Sequence, residues 1–114
     1  MRQVAAHNNE PLSQQVFLIL LGLSDVPRHG YALIKEVERL SGGRVLLSTG
    51  TLYGALRRLL EDRWIERHPQ DDTSRDKQAY LLTRIGRDQV EADLARIRQL
   101  ARAATARLRV PGVS

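Results

Sequence analysis

Residues 48–60 read Ser-Thr-Gly-Thr-Leu-Tyr-Gly-Ala-Leu-Arg-Arg-Leu-Leu, and they constrain the chain more than any other stretch. Leu52, Ala55, Leu56, Leu59 and Leu60 recur at i, i+3, i+4 and i+7, the spacing of one buried helix face. Thr51, Gly54, Arg57, Arg58 and Glu61 fall on the other side. Ser48, Thr49 and Thr51 are small hydroxyls that can cap a helix and hydrogen-bond phosphate. A short helix with hydroxyls at its N-terminus and two arginines a turn later suits a major groove. The same residues also describe a capped surface helix with solvated arginines. The neighbouring segments decide between the two.

Residues 1–10 are polar and read as a mobile tail. Glu10-Pro11 marks a helix start, with Pro11 near its first position, and the helix runs to about Leu23. Its row of Val16, Phe17, Leu20, Leu21 and Leu23 is wide enough for a central core helix. Ser24-Asp25-Val26-Pro27 breaks it. A second helix opens after His29-Gly30, carries Leu33, Ile34, Val37 and Leu40 on its apolar face, and ends at Ser41-Gly42-Gly43, a C-terminal cap. Residues 44–47 allow a short strand. After the helix at 48–62, Trp64 to His68 alternates as a strand, Pro69 to Ser74 turns, and Lys77 to Leu82 returns. Thr83 is placed to cap a long last helix that ends near Arg109.

That order predicts a mainly α fold with a small β-hairpin wing: a winged helix-turn-helix followed by a long C-terminal helix. Three parts follow: a flexible tail over 1–12, a DNA-binding domain over 13–82 and a dimerisation helix over 83–110. Val90, Leu94, Ile97, Ala101, Ala104 and Leu108 are spaced 4, 3, 4, 3, 4, a heptad seam of nearly three repeats that Leu100 widens. Such a stripe must be buried, either on its own domain or against a second copy. The length of the helix and the three helices already filling the core favour a homodimer. Ala101 and Ala104 would let the two helices approach closely.

Composition sets further bounds. At 114 residues the chain is one domain, whose modest core would gain from dimerisation. It has no cysteine, which excludes disulfides and thiolate metal sites. No signal peptide is visible, and the apolar run from Val16 to Leu23 is too short to cross a bilayer, so a soluble cytoplasmic protein is expected. The net charge of +5 is unevenly placed. Residues 83–114 hold Arg84, Arg87, Arg96, Arg98, Arg102, Arg107 and Arg109 against Asp88, Glu91 and Asp93, giving +4. Only +1 is left for residues 1–82, so DNA binding there depends on where basic groups sit and not on bulk charge. His7, His29 and His68 form no metal-ligand spacing, and no nucleophile–base pair or phosphate loop is visible. An enzyme, a cofactor and a metal are not expected.

Four segments, read together, carry a family resemblance. They are Phe17-Leu-Ile-Leu-Leu-Gly-Leu, Pro27-Arg-His-Gly-Tyr-Ala-Leu-Ile-Lys-Glu-Val, Ser48-Thr-Gly-Thr-Leu-Tyr-Gly-Ala-Leu-Arg-Arg-Leu and Tyr80-Leu-Leu-Thr-Arg-Ile-Gly. Over about residues 16–87 they resemble the PadR family of bacterial transcriptional regulators. Sixteen arginines against two lysines, Lys35 and Lys77, also hint at a GC-rich bacterial source. The resemblance implies a winged-helix repressor that dimerises through its C-terminal helix and binds a palindromic operator, in the short subtype with one C-terminal helix. There are departures: Thr49 stands where the family often has Pro, Ala79 replaces a usual wing aromatic, and Arg84 replaces a common acidic residue, so Thr83 lacks a capping-box partner.

The DNA-binding set expected on these grounds is Tyr31, Lys35, Ser48, Thr49, Gly50, Thr51, Tyr53, Arg57, Arg58, Arg75 and Lys77. Tyr53 sits at the edge of the apolar face, where its ring can pack and its hydroxyl reach a phosphate. Tyr31 and Lys35 start the helix that crosses the DNA backbone in helix-turn-helix docking. A plainer reading packs Tyr31 and pairs Lys35 with Glu36 or Glu38. Arg75 and Lys77 flank the wing tip, but the stretch from Arg63 to Tyr80 is neutral, with four basic and four acidic residues. Trp64 reads as core. Some short-subtype relatives take planar aromatic ligands between subunits, yet residues 83–114 contain no Phe, Trp or Tyr to stack on one. A small-molecule effector therefore stays open. The competing class is a winged-helix protein-interaction module whose basic tail docks on an acidic partner.

Overall fold

The computed structural model describes residues 10–69 and 78–109. Helix α1 spans Gln14–Gly22, strand β1 Arg28–His29, helix α2 Gly30–Leu40 and helix α3 Thr49–Glu61. Strands β2 (Ile65–Arg67) and β3 (Ala79–Leu82) follow, then helix α4 over Arg84–Leu108. The sheet is antiparallel, with β3 between β1 and β2. This is a winged helix-turn-helix with a long helix appended.

The helix starts are fixed by hydroxyl caps. Ser13, Ser48 and Thr83 accept from the backbone N–H of Val16, Thr51 and Gly86, which satisfies donors that a helix leaves unpaired. The first helix therefore begins after Ser13 and not at Glu10-Pro11. The chain ahead of it is held otherwise: the Leu12 N–H donates to the Asp93 carboxylate on α4 at 3.4 Å. Thr49 occupies the first position of α3, where a proline would also fit. Gly42 and Gly43 take φ of +66° and +84° and end the turn after α2 as expected.

Two strand expectations need correcting. Residues 44–47 alternate in burial, with Val45 and Leu47 inside and Leu46 outside, but form no strand, because no neighbouring chain offers a ladder. The third strand is Arg28–His29, which pairs with Tyr80 and Ala79. Strands β2 and β3 are also shorter than the expected 64–68 and 77–82.

The core joins Ile19, Leu20 and Leu23 of the first helix region to Leu33 and Val37 of α2, Leu52, Leu56 and Leu59 of α3, and Trp64, Ile65, Tyr80 and Val90. Two glycines allow close approach. A Cβ at Gly30 would collide with the Tyr53 hydroxyl, and one at Gly86 with the Trp64 carbonyl oxygen. Thr83 strengthens the second junction by donating from Oγ1 to the Arg63 carbonyl at 2.7 Å and from its N–H to the Trp64 carbonyl at 3.1 Å. The start of α4 is thus locked to the sheet. No helix among the described residues is long and apolar enough to cross a membrane.

Candidate nucleic-acid interface

Helix α3 buries Leu52, Leu56 and Leu59 and turns Thr49, Gly50, Thr51, Arg57 and Arg58 outward. Near the helix start, a Cβ added at Gly50 or Gly54 would meet nothing within 4 Å among the described residues, and both glycines open on a cleft bordered by Pro11, Leu12 and Val16. Ser48 is exposed, and besides capping the helix it donates to Thr51 Oγ1 at 3.0 Å. Neither Arg57 nor Arg58 has an ion-pair partner among the described residues. Tyr53 is half-buried and lies over Gly30. The His-Gly-Tyr and Gly-Thr-Leu-Tyr segments, distant in sequence, therefore meet at this contact, where only a residue without a side chain leaves room for the phenol.

On α2, Tyr31 is 71% exposed, so it does not pack into the core. Lys35 places its ammonium 5.4 Å from the Tyr31 ring centroid, a cation–π pair on the surface. It does not pair with Glu36, because that carboxylate is engaged by Arg39, with Nε at 3.1 Å, and lies 3.8 Å from Arg28 Nη2. The Arg39 guanidinium, and more weakly Arg28, hold the Glu36 carboxyl below its ordinary pKa. Asp25 is lowered as well, first by its hydrogen bond from Arg28 and then by the Val26 N–H. Arg28 is a residue the sequence reading overlooked: it donates to Asp25 and to the Gly22 carbonyl at 2.8 Å, tying β1 to the end of α1.

Arg75 and Lys77 lie outside the described residues. Another basic side chain of the wing sheet, Arg67 on β2, lies within them. It faces α3 across a cleft of about 260 Å³ lined by Tyr53, Leu56, Arg57, Leu60, Arg67 and Tyr80. The alternation from Ile65 carried that signal, because residue 67 shares the inward face with residue 65.

The last helix is divided. Gly86, Gln89, Val90 and Asp93 are buried against the chain's own domain. Val90 is only 8% exposed and belongs to the intrachain core, so the first position of the expected seam is already filled by the same subunit. Leu94 is half-buried. Beyond it Ile97, Leu100 and Leu108 are 37%, 55% and 69% exposed, and Ala101 and Ala104 are open as well. Asp93 is held by Arg96, with Nε at 3.0 Å. Among the described residues no group of His, Asp and Glu could hold a metal ion.

The transcriptional regulator PadR-like family model matches residues 19–92. A protein of 37.1 kDa in transposon Tn4556 of Streptomyces fradiae, described as uncharacterized, is 38% identical over 76 residues. The match takes in 67% of this chain and 21% of that protein, so the chain spans about a fifth of the relative's length. Among solved structures, a PadR family transcription regulator from Clostridium difficile R20291 superposes with a TM-score of 0.69 at 23% identity, over 84% of this chain and 99% of that one. PadR of Bacillus subtilis, solved in complex with operator DNA, gives 0.62 at 21% identity, over 75% and 48%. These similarities show the shared fold.

Proposed function

The chain belongs to the PadR-like family of transcriptional regulators, and from that premise we propose that it is a sequence-specific DNA-binding repressor that acts as a homodimer on a palindromic operator. The observation that carries this reading is the outward polar face of α3, exposed among the described residues. Its glycines leave room for close approach of a partner, and Ser48, Thr49, Thr51, Arg57 and Arg58 stand around that space. In the proposed complex α3 enters a major groove, while Tyr31 and Lys35 of α2 and Arg75 and Lys77 of the wing take phosphates. Tyr53 sets its hydroxyl end over Gly30 and so fixes how α2 and α3 sit together at the interface.

Dimerisation is assigned to α4 from Leu94 onward, with Ile97, Ala101, Ala104 and Leu108 in the seam. A twofold dimer presents two copies of α3, which matches an inverted repeat. The division into a tail over 1–12, a DNA-binding domain over 13–82 and a dimer helix over 83–110 goes with this assignment, and a DNA-binding regulator of this family would act in the cytoplasm. A small-molecule effector would bind without an aromatic platform on α4.

The test is a salt titration on a palindromic fragment from upstream of the gene and on a scrambled one. Roughly 6–8 charged phosphate contacts per dimer give a log–log slope of roughly −5 to −7 on the palindrome. The exposed arginines of α4 favour one rival, a protein-interaction module that meets DNA only through its basic helix. In that case Arg102→Gln, Arg107→Gln and Arg109→Gln together remove most DNA affinity, and both fragments bind alike. Either result overturns the repressor reading.

A further inference from the structure

Arg67 is a charged residue on the inward face of a strand. Its cross-strand partner in the sheet is Tyr80, and directly opposed residues project to the same side. Tyr80 is 4% exposed and faces the helices, as does Ile65 two residues before Arg67. Arg67 nevertheless remains exposed, because the floor on which it would rest is a cleft between α3 and the sheet. Across that cleft stands Arg57. Leu56 and Leu60 form its apolar base, and among the described residues no acidic side chain lines it. Neither arginine has an ion-pair partner among the described residues. Two guanidinium groups lining one cleft over an apolar floor, with no ion pair among the described residues, repel one another and attract an anion. The volume of about 260 Å³ falls below the ~300–1,000 Å³ of sites that enclose drug-sized ligands, which favours a small group presented from outside.

We propose that this cleft is a phosphodiester site, in which Arg67 and Arg57 grip one DNA backbone phosphate beside the groove that receives α3. The assignment rests on the DNA-binding reading given above. It adds to the interface a sheet residue at the base of the wing, and it places the phosphate between the recognition helix and the wing. The contact is to the backbone, so it sets register and affinity without reading sequence.

The experiment uses the full chain and fluorescence anisotropy on the palindromic and scrambled fragments at several salt concentrations. Arg67→Gln should weaken both fragments by the same factor and make the salt slope shallower by about two per dimer, one phosphate contact per subunit. Arg67→Lys should keep most of the slope. Independently of any variant's folding, wild-type protein should lose affinity for DNA whose phosphates beside the α3 groove are replaced by neutral methylphosphonates, and Arg67→Gln should lose distinctly less than wild type from that replacement. If the wild type prefers the palindrome but tolerates every such methylphosphonate, the phosphate site is wrong and the repressor reading stands. If the wild type binds both fragments alike, the repressor reading itself fails. Strand β2 is an edge strand, and an inward charge can serve to block edge-to-edge association. An Arg67→Gln protein that aggregates while its soluble fraction binds DNA with unchanged slope would assign Arg67 to that role and overturn the proposal.

Discussion

Helices α3 and α4 are both written as an apolar stripe backed by arginines, and the fold treats them differently. The stripe of α3 is closed by its own domain, with Leu52, Leu56 and Leu59 almost wholly buried. What remains outside is polar, and it is stable in water without a partner. On α4 only the first turns are closed. From Ile97 onward the apolar side chains face solvent. The pattern alone does not tell a helix that completes a domain from one that awaits another subunit. The difference lies in what stands opposite, and among the described residues nothing buries α4 from Ile97 to Leu108.

The sharpest way to break this contrast is to charge the outer stripe of α4. Ile97→Glu with Leu100→Glu would put four carboxylates into one dimer contact, and light scattering at micromolar concentration should show monomers with undiminished helix content. A wild type that is already monomeric would mean that the outer stripe needs no cover. Next in size, Leu56→Ala on α3 should cost about 2–5 kcal/mol in denaturant unfolding, with a loss that does not change with protein concentration. The stability of Leu108→Ala, by contrast, should differ from wild type only where the dimer forms. On the polar side of α3, Arg57→Ala should weaken palindromic and scrambled fragments by a similar factor and make the salt slope shallower, with circular dichroism unchanged. Ser48→Ala removes the cap of the same helix and should lower stability by about 1 kcal/mol.

The smallest effect concerns acid. Asp25 and Glu36 are held below their ordinary values of 3.8 and 4.5 by Arg28 and Arg39. A depressed carboxyl stabilises the fold above its unfolded pKa, and that contribution is lost as pH falls through the folded value. Melting temperature should therefore decline below about pH 4.5, and less steeply in Glu36→Gln. Asp25 is exposed and Glu36 half-buried, so salt should shrink the Asp25 share more than the Glu36 share.

Helices α2, α3 and α4 were legible because each repeats its apolar residues over two or more turns and is bounded by a local signal: Gly42-Gly43, Ser48 or Thr83. Strand β1 was not. Two residues have no period, and their partners Ala79 and Tyr80 lie some fifty positions away. The alternation at 44–47 misled for the complementary reason, since burial alternates there without a ladder to join. Ser13 prevailed over Pro11 as a helix start because an oxygen able to accept from Val16 outweighs a favourable ring geometry. In the candidate interface, the outward arginines followed from periodicity, but the contact of Tyr53 with Gly30 and the placing of Arg67 and Arg57 on one cleft depend on tertiary packing. Exposure of Tyr31 went against the ordinary preference of an aromatic ring for the core.

The junction at Gly86 has a consequence for distance. Because the first turn of α4 abuts the Trp64 carbonyl, the helix cannot pivot freely on the sheet, and its direction relative to α3 is set by the backbone. In the proposed dimer α4 is then a spacer, and the position of its apolar residues along the axis determines how far apart two recognition helices stand. Moving the stripe by one heptad would shift the crossing point by ~10 Å along α4. Bases follow one another at ~3.4 Å, so the operator half-sites would need re-spacing by about three base pairs per ~10 Å of altered separation. The preferred interval between half-sites is in this sense written in the choice of leucine, isoleucine and alanine along α4, far from any residue that would touch DNA.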